Sequence, residues 1–442
     1  MTTTTIEAEA RERFERATLR KVTSRLLPFL LLLYVVAWLD RVNIGFAALQ
    51  MNRDLGFSAA VYGFGAGVFF VGYALFEIPS NLLLVRLGAR RWIARIMLTW
   101  GALSIAMMFV EGPATFYALR FLLGVAEAGF LPGIIYYLGN WFPSAERARA
   151  VSWFMLAIPL STVVGAPLAG VILSINGWQG LAGWQWLFLL EGVPAVLLGL
   201  VVFWYLTDSP EQAHWLKPAE REWLSAHMQA EHTRTHERHG LGVRAALMHP
   251  MVWRLGLIIF ACQSGSYGLT LWIPQIVRNL SGLSDLAVSM ISAIPYVAAS
   301  IGMIVIGASS DRSGERLMHV AVPSVIAAIG FAVSAYLTSP VPGMIALTVA
   351  AVGDLSTRGP FWALPTRFLS GGAAAGGIAL MNTLGSLGGF VGPYAVGLVR
   401  TLTGGFAGGL LLLAGLLLAA AIGCVRLRGE SLLAEESRYE AG

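Results

Sequence analysis

Long apolar stretches alternate with short polar ones along almost the whole chain. Each apolar stretch is about 20 residues or longer, the length that an α-helix needs to cross a bilayer. The predicted spans are 26–50, 60–84, 92–111, 114–138, 150–174, 184–206, 251–276, 286–308, 318–338, 342–366, 372–399 and 406–425. This pattern predicts an all-α polytopic membrane protein with twelve transmembrane helices.

Composition narrows the class of protein further. Hydrophobic residues make up 56% of the 442 residues and charged residues only 12%, about half the charged share of soluble domains. A soluble chain of this length would need polar surface that this one lacks. The net charge of +5 is too small to indicate nucleic-acid binding. Cys262 and Cys424 lie in separate apolar runs and predict no disulfide framework.

Basic residues concentrate in every second loop between the predicted spans. By the positive-inside rule these loops are cytoplasmic, so both termini and the central polar segment are expected on the cytoplasmic side of the inner membrane. An even number of spans requires the same arrangement. The predicted divisions are a cytoplasmic tail 1–25, a six-helix bundle 26–207, a cytoplasmic linker 208–250, a second six-helix bundle 251–428 and a cytoplasmic tail 429–442.

The two halves of the chain repeat each other. Aligning the loop at Arg86 with the loop at Arg312 gives an offset of 312 − 86 = 226 residues. Aligning the Gly- and Pro-containing motif at Gly165 with that at Gly392 gives 392 − 165 = 227. Two pseudo-symmetric six-helix bundles are therefore predicted, an architecture that places a substrate site at the bilayer midplane between the repeats.

Five segments carry a resemblance to a known family. The loop 307–316 resembles the cytoplasmic loop signature of the major facilitator superfamily. The segments 38–45, 76–81, 120–133 and 360–366 resemble its anion:cation symporter branch, which includes bacterial carriers of galactonate, tartrate, phthalate and hydroxyphenylacetate. The resemblance implies the major facilitator fold and a secondary transporter of organic anions.

The same resemblance implies that the loop motif of each half controls conformational gating. The first-half copy departs from the family, with Asn81 and Val85 in place of a glycine and an aspartate. The residues expected to act in gating are Arg86, Gly88, Arg90, Asp311, Arg312, Gly314 and Arg316.

In the first half of the chain, four ionisable residues lie well inside predicted spans, where a charge costs several kcal/mol and usually faces a cavity or a partner. They are Asp40 and Arg41 in the first span and Arg120 and Glu127 in the fourth. Asp40 shares a helix face with Asn43, three residues on, while Arg41 points about 100° away. Arg120 and Glu127 are two helical turns apart and share a face.

Arginine offers a permanent charge and a planar fork that matches a carboxylate, so Arg41 and Arg120 are predicted to bind the substrate anion. A carboxylate in a low-dielectric cavity can exchange a proton near physiological pH, so Asp40 and Glu127 are predicted to carry protons. The resemblance implies the same division of roles. The alternative is that the pairs Asp40–Arg41 and Arg120–Glu127 are salt bridges that only hold helices together.

Four further charged residues are weaker candidates for a role in transport. Asp354 and Arg358 are four residues apart in the tenth span, and they either neutralise each other in a structural pair or line the transport pathway. Glu77 and Glu191 lie near the ends of their spans, where snorkelling or a loop arginine is expected to satisfy them.

Four polar or aromatic residues complete the predicted substrate site at positions where similar carriers contact substrate: Tyr73, Gln263, Trp362 and Asn382. Single polar residues in spans also serve as contacts between helices. Where sugar-acid carriers of the family place small hydroxyl residues, this chain has Gly359, Pro360 and Phe361. That departure leaves hydroxy acids, sugar acids, dicarboxylates and aromatic carboxylates open as substrates, with sugar acids less favoured.

These features together predict a monomeric secondary transporter that imports a small organic carboxylate by proton symport through rocker-switch alternating access. Its expected partners are the anion, protons and membrane lipid, with no nucleic acid, cofactor or metal. His232, His236 and His239 have a helical spacing that could chelate a metal, but a solvated linker helix is the better interpretation. The alternative is a sodium-coupled or exchange carrier of an organic or inorganic anion. An enzyme is disfavoured because the spans contain no nucleophile–base pair.

Overall fold

The computed structural model describes residues 3–155, 157–236, 247–365 and 371–440, and within these ranges the chain is helical and contains no strand. The α-helices are α1 (Thr3–Asp54), α2 (Ala59–Leu87), α3 (Ala89–Ala106), α4 (Pro113–Glu127), α5 (Phe130–Gly139), α6 (Ser144–Met155), α7 (Ala157–Leu173), α8 (Gly183–Tyr205), α9 (Pro218–His236), α10 (Pro250–Ser281), α11 (Asp285–Ser292), α12 (Ile294–Ser313), α13 (Met318–Tyr336), α14 (Pro340–Ser356), α15 (Arg358–Trp362), α16 (Gly371–Thr403) and α17 (Ala407–Glu440).

Eleven helical segments of the described chain are long and apolar enough to cross a membrane. They correspond to eleven of the predicted spans. Pairs of helices form the spans of α4 with α5, α11 with α12, and α14 with α15, and the span Trp153–Leu173 includes the end of α6 and all of α7. The twelfth predicted span is α16, which has 33 residues, nine of them glycine. Glycine lowers the hydropathy of α16 but lets neighbouring helices approach closely. The prediction of a twelve-helix membrane protein is confirmed.

Two of the interruptions between such paired helices lie next to buried acids. Gly129 separates α4 from α5 with φ of +84°, a conformation that favours glycine. The break directly follows Glu127, the last residue of α4. In the second half α14 ends at Ser356, two residues after Asp354. Non-helical backbone at membrane depth is tolerated where protein buries it, which agrees with the turn at Gly129. Thr357, which follows Ser356, keeps helical φ and ψ.

Both polar tails continue the helices next to them. The polarity of segment 1–25 predicts a separate tail, but α1 runs without interruption from Thr3 to Asp54. Arg11–Glu15 and Arg13–Glu9 form ion pairs at i,i+4 spacing, which supports a solvated helix. Polarity alone therefore does not mark a helix end.

The two bundles meet through α2 against α16, α1 against α10, and α7 against α11 and α12. Cross-bundle hydrogen bonds gather at the end of the molecule that holds the α1–α2 turn, here named the turn end. Three such bonds are Gln50 Nε2 to Asp285 Oδ2 at 2.8 Å, Tyr62 Oη to the Leu271 carbonyl at 2.6 Å, and the Ala60 N–H to Thr401 Oγ1 at 2.9 Å. The bundles are thus joined at the turn end.

The opposite end, here named the linker end, carries α9. Lys21 Nζ of α1 lies 2.8 Å from Glu220 Oε2, and Arg147 Nη2 of α6 lies 2.8 Å from Glu231 Oε1. These ion pairs fasten α9 to the first bundle. The side chains of His232 and His236, and the whole of His239, lie outside the described residues.

Candidate functional site

The centre of the first bundle holds an ion pair between Arg41 of α1 and Glu127 of α4. Arg41 Nη2 donates to Glu127 Oε1, and the two residues are only 7% and 1% exposed. Arg41 Nη1 also lies 3.5 Å from the hydroxyl of Tyr267 on α10, in the other bundle. The guanidinium therefore connects a buried acid of one half with the facing wall of the other half.

Aromatic rings surround the same guanidinium. Arg41 Cζ lies 5.3 Å from the ring centroids of Trp38 and Tyr73 and 5.6 Å from that of Phe69. Cation–π attraction stabilises a desolvated guanidinium without occupying its hydrogen-bond donors. Arg41 Nε has no partner among the described residues. The arginine is therefore held in place while part of its donor capacity stays available.

Asp40 faces a different part of the bundle from Arg41, as the helical spacing predicts. Its Oδ1 accepts hydrogen bonds from Ser104 Oγ of α3 at 2.7 Å and from Asn43 Nδ2 at 3.2 Å. The predicted shared face of Asp40 and Asn43 is confirmed by that bond. Asp40 is 1% exposed, and its Oδ2 has no hydrogen-bond partner among the described residues.

Arg120 fastens α4 to α2. Its Nε and Nη2 donate to the carbonyls of Gly65 and Ala66, at 3.3 and 3.1 Å. The guanidinium lies 5.0 Å from the ring centroid of Phe69, the ring that also contacts Arg41. Arg120 Nη1 is buried and has no partner in the described chain. Arg120 therefore has one donor group left for a ligand and two that serve the contact between the helices.

Neither alternative salt bridge from the sequence, Asp40–Arg41 or Arg120–Glu127, is found among the ion pairs of the described residues. The structure instead joins one member of each pair, Arg41 and Glu127. Adjacent residues on α1 point in different directions, and the seven-residue spacing on α4 puts Arg120 and Glu127 about 10 Å apart along the helix axis. Tertiary packing therefore determines which charges meet.

The predicted polar residues of the site divide between the two bundles. Tyr73 lies on α2 beside Arg41. Gln263 of α10 is half-buried and packs near Gly385 of α16. Trp362 of α15 is half-buried, with its ring edge-to-face against Phe361 at 5.3 Å.

Asn382 of α16 makes a polar contact between the bundles. Its Nδ2 donates to Glu77 Oε1 of α2 at 2.5 Å. Glu77 lies four residues, about one helical turn, after Tyr73. One predicted substrate residue is therefore held by an acid of the opposite half.

The expectations for Glu77 and Glu191 are wrong. The sequence predicts that both reach the surface or a loop arginine, but they are only 6% and 5% exposed. Glu77 is bonded to Asn382, and no ion pair of the described residues includes either glutamate. Each has one buried oxygen, Oε2, without a hydrogen-bond partner in the described chain. Hydropathy places them near span ends, but helix packing covers both.

Asp354 in the second bundle bonds to a neighbouring helix rather than to its own. Its Oδ2 accepts from Ser266 Oγ of α10. The expected neutralising pair with Arg358 does not appear among the ion pairs of the described residues. Thr357, between α14 and α15, keeps helical φ and ψ, and Arg358 interacts electrostatically with Asp354 without an ion-pair contact.

The first loop motif is completed by a residue from the linker. Gly88 adopts φ of +90° between α2 and α3, and a Cβ there would lie 3.0 Å from Asp208 Oδ1. The same oxygen accepts from the Arg90 N–H at 2.8 Å. Asp208 thus provides an acidic partner to the motif copy that has Val85 where the family has aspartate. Arg86 is exposed.

In the second loop motif, Arg316 bonds to two other residues of the motif. Arg316 Nη1 donates to Asp311 Oδ1 at 2.6 Å and to Ser310 Oγ at 3.0 Å. Gly314 ends α12 with φ of +67°. Arg312 is exposed. The motif therefore forms a compact cap on the linker end of the second bundle.

Tyr267 is a site residue that the sequence reasoning missed, although two signals pointed to it. It lies four residues after Gln263 and so shares its helix face. It also lies 226 residues after Arg41, which equals the repeat offset, so Arg41 contacts its own pseudo-symmetric position. Ser104, the partner of Asp40, carried no such signal. The described residues contain no group of three or more His, Cys, Asp or Glu that could hold a metal ion.

Comparison with known proteins agrees with this architecture. Residues 30–393 match the Major Facilitator Superfamily. The chain is 52% identical over 408 residues to a protein of Agrobacterium vitis named "Putative tartrate transporter", covering 92% of this chain and 94% of the relative. It is 44% identical to a "Quinolone resistance transporter" of Acinetobacter baumannii, covering 90% of this chain and 92% of that protein.

Among solved structures, the chain is similar to a bacterial homolog of the human lysosomal transporter Spinster in an inward-facing and occupied conformation. The TM-score is 0.72 and the sequence identity 17%, with 93% of this chain and 97% of that chain covered. This likeness concerns the fold. The match over most of the chain, together with the close relatives, shows that the chain belongs to the major facilitator superfamily.

Proposed function

We propose that the protein imports a small organic carboxylate by proton symport through alternating access. The observation that carries the proposal is the buried pair Arg41–Glu127, whose arginine also reaches Tyr267 of the other half. A carboxylate substrate and Glu127 compete for the same guanidinium. Protonation of Glu127 releases Arg41, and the freed fork then binds the substrate anion.

This competition links proton binding to substrate binding. A charge left alone in a buried site costs several kcal/mol. Arg41 therefore needs an anionic partner at all times, either ionised Glu127 or the substrate. Arg41 contacts both bundles. When it exchanges Glu127 for the substrate, its contact with Tyr267 of the second bundle also changes, and movement between the bundles depends on that contact. Tyr73, Gln263, Trp362 and Asn382 are proposed to surround the bound anion, and Asp40 to take up a second proton.

The proposed orientation follows from the charge distribution. With the linker end in the cytoplasm, the joined turn end faces the outside, which corresponds to an inward-facing state. The two loop motifs, including Arg86, Gly88, Arg90, Asp311, Arg312, Gly314 and Arg316, then lie at the cytoplasmic gate. The protein is proposed to act as a monomer in the inner membrane.

A small hydroxy-dicarboxylate is the favoured substrate. The relative from Agrobacterium vitis carries tartrate in its name. Gly359, Pro360 and Phe361 provide no side-chain hydroxyl for a polyhydroxylated chain. Arg41 and the free Nη1 of Arg120 could each meet one carboxylate. Tartrate is therefore the first compound to test.

The test is uptake of labelled tartrate into proteoliposomes under an imposed proton or sodium gradient. Uphill accumulation is expected with the proton gradient alone. E127Q is expected to abolish accumulation and to retain tartrate counterflow, because Arg41 is then free to bind the anion without a proton. R41A is expected to lose both activities.

The exposed glutamate Glu111 provides the matched control, and E111Q is expected to transport like the unmodified protein. Accumulation driven by sodium alone would favour a sodium-coupled carrier. Exchange without any gradient dependence would favour an exchange carrier. Gradient-driven accumulation that survives E127Q would show that Glu127 does not carry the proton.

A further inference from the structure

A second buried acidic site lies between α1, α3 and α8, away from the Arg41–Glu127 pair. Asp40 of α1 and Glu191 of α8 interact electrostatically there, and Asn43 stands within reach of both. Asp40 is 1%, Asn43 2% and Glu191 5% exposed. The pocket is therefore closed to solvent.

This pocket contains fewer hydrogen-bond donors than its buried acceptors require. Asp40 Oδ2, Asn43 Oδ1 and Glu191 Oε2 are all buried acceptors without a partner among the described residues. The donors present are the hydroxyl of Ser104, which is used on Asp40 Oδ1, and the amide of Asn43, of whose two N–H groups one is used on the same oxygen. One remaining N–H cannot serve three acceptors. The indole N–H of Trp100 lies near Asp40 without reaching hydrogen-bond geometry. A buried acceptor without a donor costs about 1–3 kcal/mol.

No cation of the described chain is paired with these acids. From α1, Arg41 turns to Glu127; from α4, Arg120 donates to the carbonyls of α2, while Glu127 adds negative charge. On the facing part of α3, Ser104 and Trp100 do not titrate. Two adjacent carboxylates without a cation cannot both stay ionised at low cost. A single proton would remove one charge and supply the missing donor.

We propose that Asp40 and Glu191 form one proton-binding site, in which Glu191 shares the proton that is taken up by Asp40 during transport. The proton resides on one of the two carboxyl groups at a time, with the amide of Asn43 within reach of both. This inference rests on the proposed proton symport and adds Glu191 to it. Glu191 acts as a positioning residue, since it does not contact the substrate site at Arg41.

Glycine brings the two acids together. A Cβ on Gly192, the residue after Glu191, would lie 3.0 Å from Ile105 N and 3.1 Å from the Gly101 carbonyl on α3. Such a close approach of α8 to α3 is open only to glycine at this position. It places Glu191 close to Asp40 and Asn43 although Glu191 lies near the end of its predicted span.

The first measurement is the infrared carbonyl stretch of protonated carboxylic acids, recorded on the purified protein between acidic and alkaline pH without substrate. The unmodified protein is expected to show a carboxylic-acid band that disappears on alkalinisation. E191Q is expected to lose the part of this band that arises from Asp40 and Glu191, because the new amide adds a donor and Asp40 then stays ionised. E127Q, which removes only the contribution of Glu127, and the exposed control E111Q are expected to retain that part.

The second measurement is the ratio of protons to tartrate in proteoliposomes. E191Q is expected to lower this ratio by one proton, whereas E191D, which keeps the acid, is expected to restore it. Counterflow and a monodisperse elution profile confirm that E191Q is folded.

The two measurements separate the inference from the proposed function. If the band is unchanged in E191Q, the shared site is wrong, whatever drives transport. If the band is lost but tartrate uptake ignores the proton gradient, the shared site stands and proton symport is wrong. A band lost together with an unchanged proton ratio would overturn the role of Glu191 in coupling.

Discussion

Asn382 of α16 donates a hydrogen bond of 2.5 Å to Glu77 of α2, and this bond joins the two bundles on the linker side of Arg41. The bonds at the turn end include those of Ala60 and Tyr62, which lie 17 and 15 residues before Glu77 on α2, more than about 20 Å along the helix axis. The Glu77–Asn382 bond is therefore a contact separate from those at the turn end.

Removal of the donor alone should destabilise the protein more than removal of both partners. N382A leaves the 6% exposed Glu77 without its donor, which should cost about 1–3 kcal/mol. E77A/N382A removes both polar groups and should recover part of that loss. Thermal unfolding in detergent measures both effects. E77Q keeps an acceptor and provides the control; equal melting temperatures for N382A and the double variant would contradict the expectation.

Removal of one partner of the Arg41–Glu127 ion pair should likewise destabilise the protein more than removal of both, and by a larger amount. R41A leaves Glu127, 1% exposed, as an unpaired buried charge, and breaking a buried pair costs about 3–5 kcal/mol. R41A/E127Q removes that charge and should unfold at a higher temperature than R41A. The measurement is again thermal unfolding. Additive effects of R41A and E127Q would show that the two side chains do not interact in the membrane protein.

The substitution R41K separates charge from shape at the same position. Lysine keeps the positive charge beside Glu127 but lacks the planar fork that binds a carboxylate through two hydrogen bonds. R41K should therefore be closer to the unmodified protein in melting temperature than R41A, while its KM for tartrate rises at least several-fold. Uptake kinetics and thermal unfolding of the same preparation test this. A KM that is unchanged in R41K would remove Arg41 from the substrate site.

The spans were predictable from the sequence because hydropathy and length are local properties. The partners of the buried charges were not, since they depend on helix rotation and on close approach between helices. Glu191 illustrates this: its burial follows from the contact of Gly192 with Gly101 and Ile105, residues about 90 positions away. Tyr267 was within reach of the sequence, because the repeat offset applied to Arg41 gives its position.

The linker helix should detach from α1 in acid. Partial burial alone would raise the pKa of Glu220, but hydrogen bonds from Lys21 Nζ and the Lys217 N–H outweigh it and lower the pKa below the ordinary 4.5. The stabilising effect is then present above pH 4.5 and is lost as the pH falls through the lowered pKa. Limited proteolysis of α9 across this range reports the change. E220Q should be cleaved faster even at neutral pH, unlike E222Q on the same helix; high salt should weaken the difference.

Glycines at the contact of α2 with α16 should determine how often the turn end closes. A Cβ on Gly63 would lie 2.6 Å from the Pro393 carbonyl, and one on Gly67 would lie 2.7 Å from the Phe390 carbonyl. Backbone atoms cannot yield as side chains do, so G63A and G67A should disfavour the closed turn end and shift the population toward the opposite conformation. Spin labels at positions 53 and 283, in exposed residues of the two bundles, should report longer distances in double electron–electron resonance. Gly415 has open space around its Cβ position, and G415A is the control. Unchanged distances in G63A and G67A, with both variants folded, would mean that the α2–α16 contact does not limit closure of the turn end.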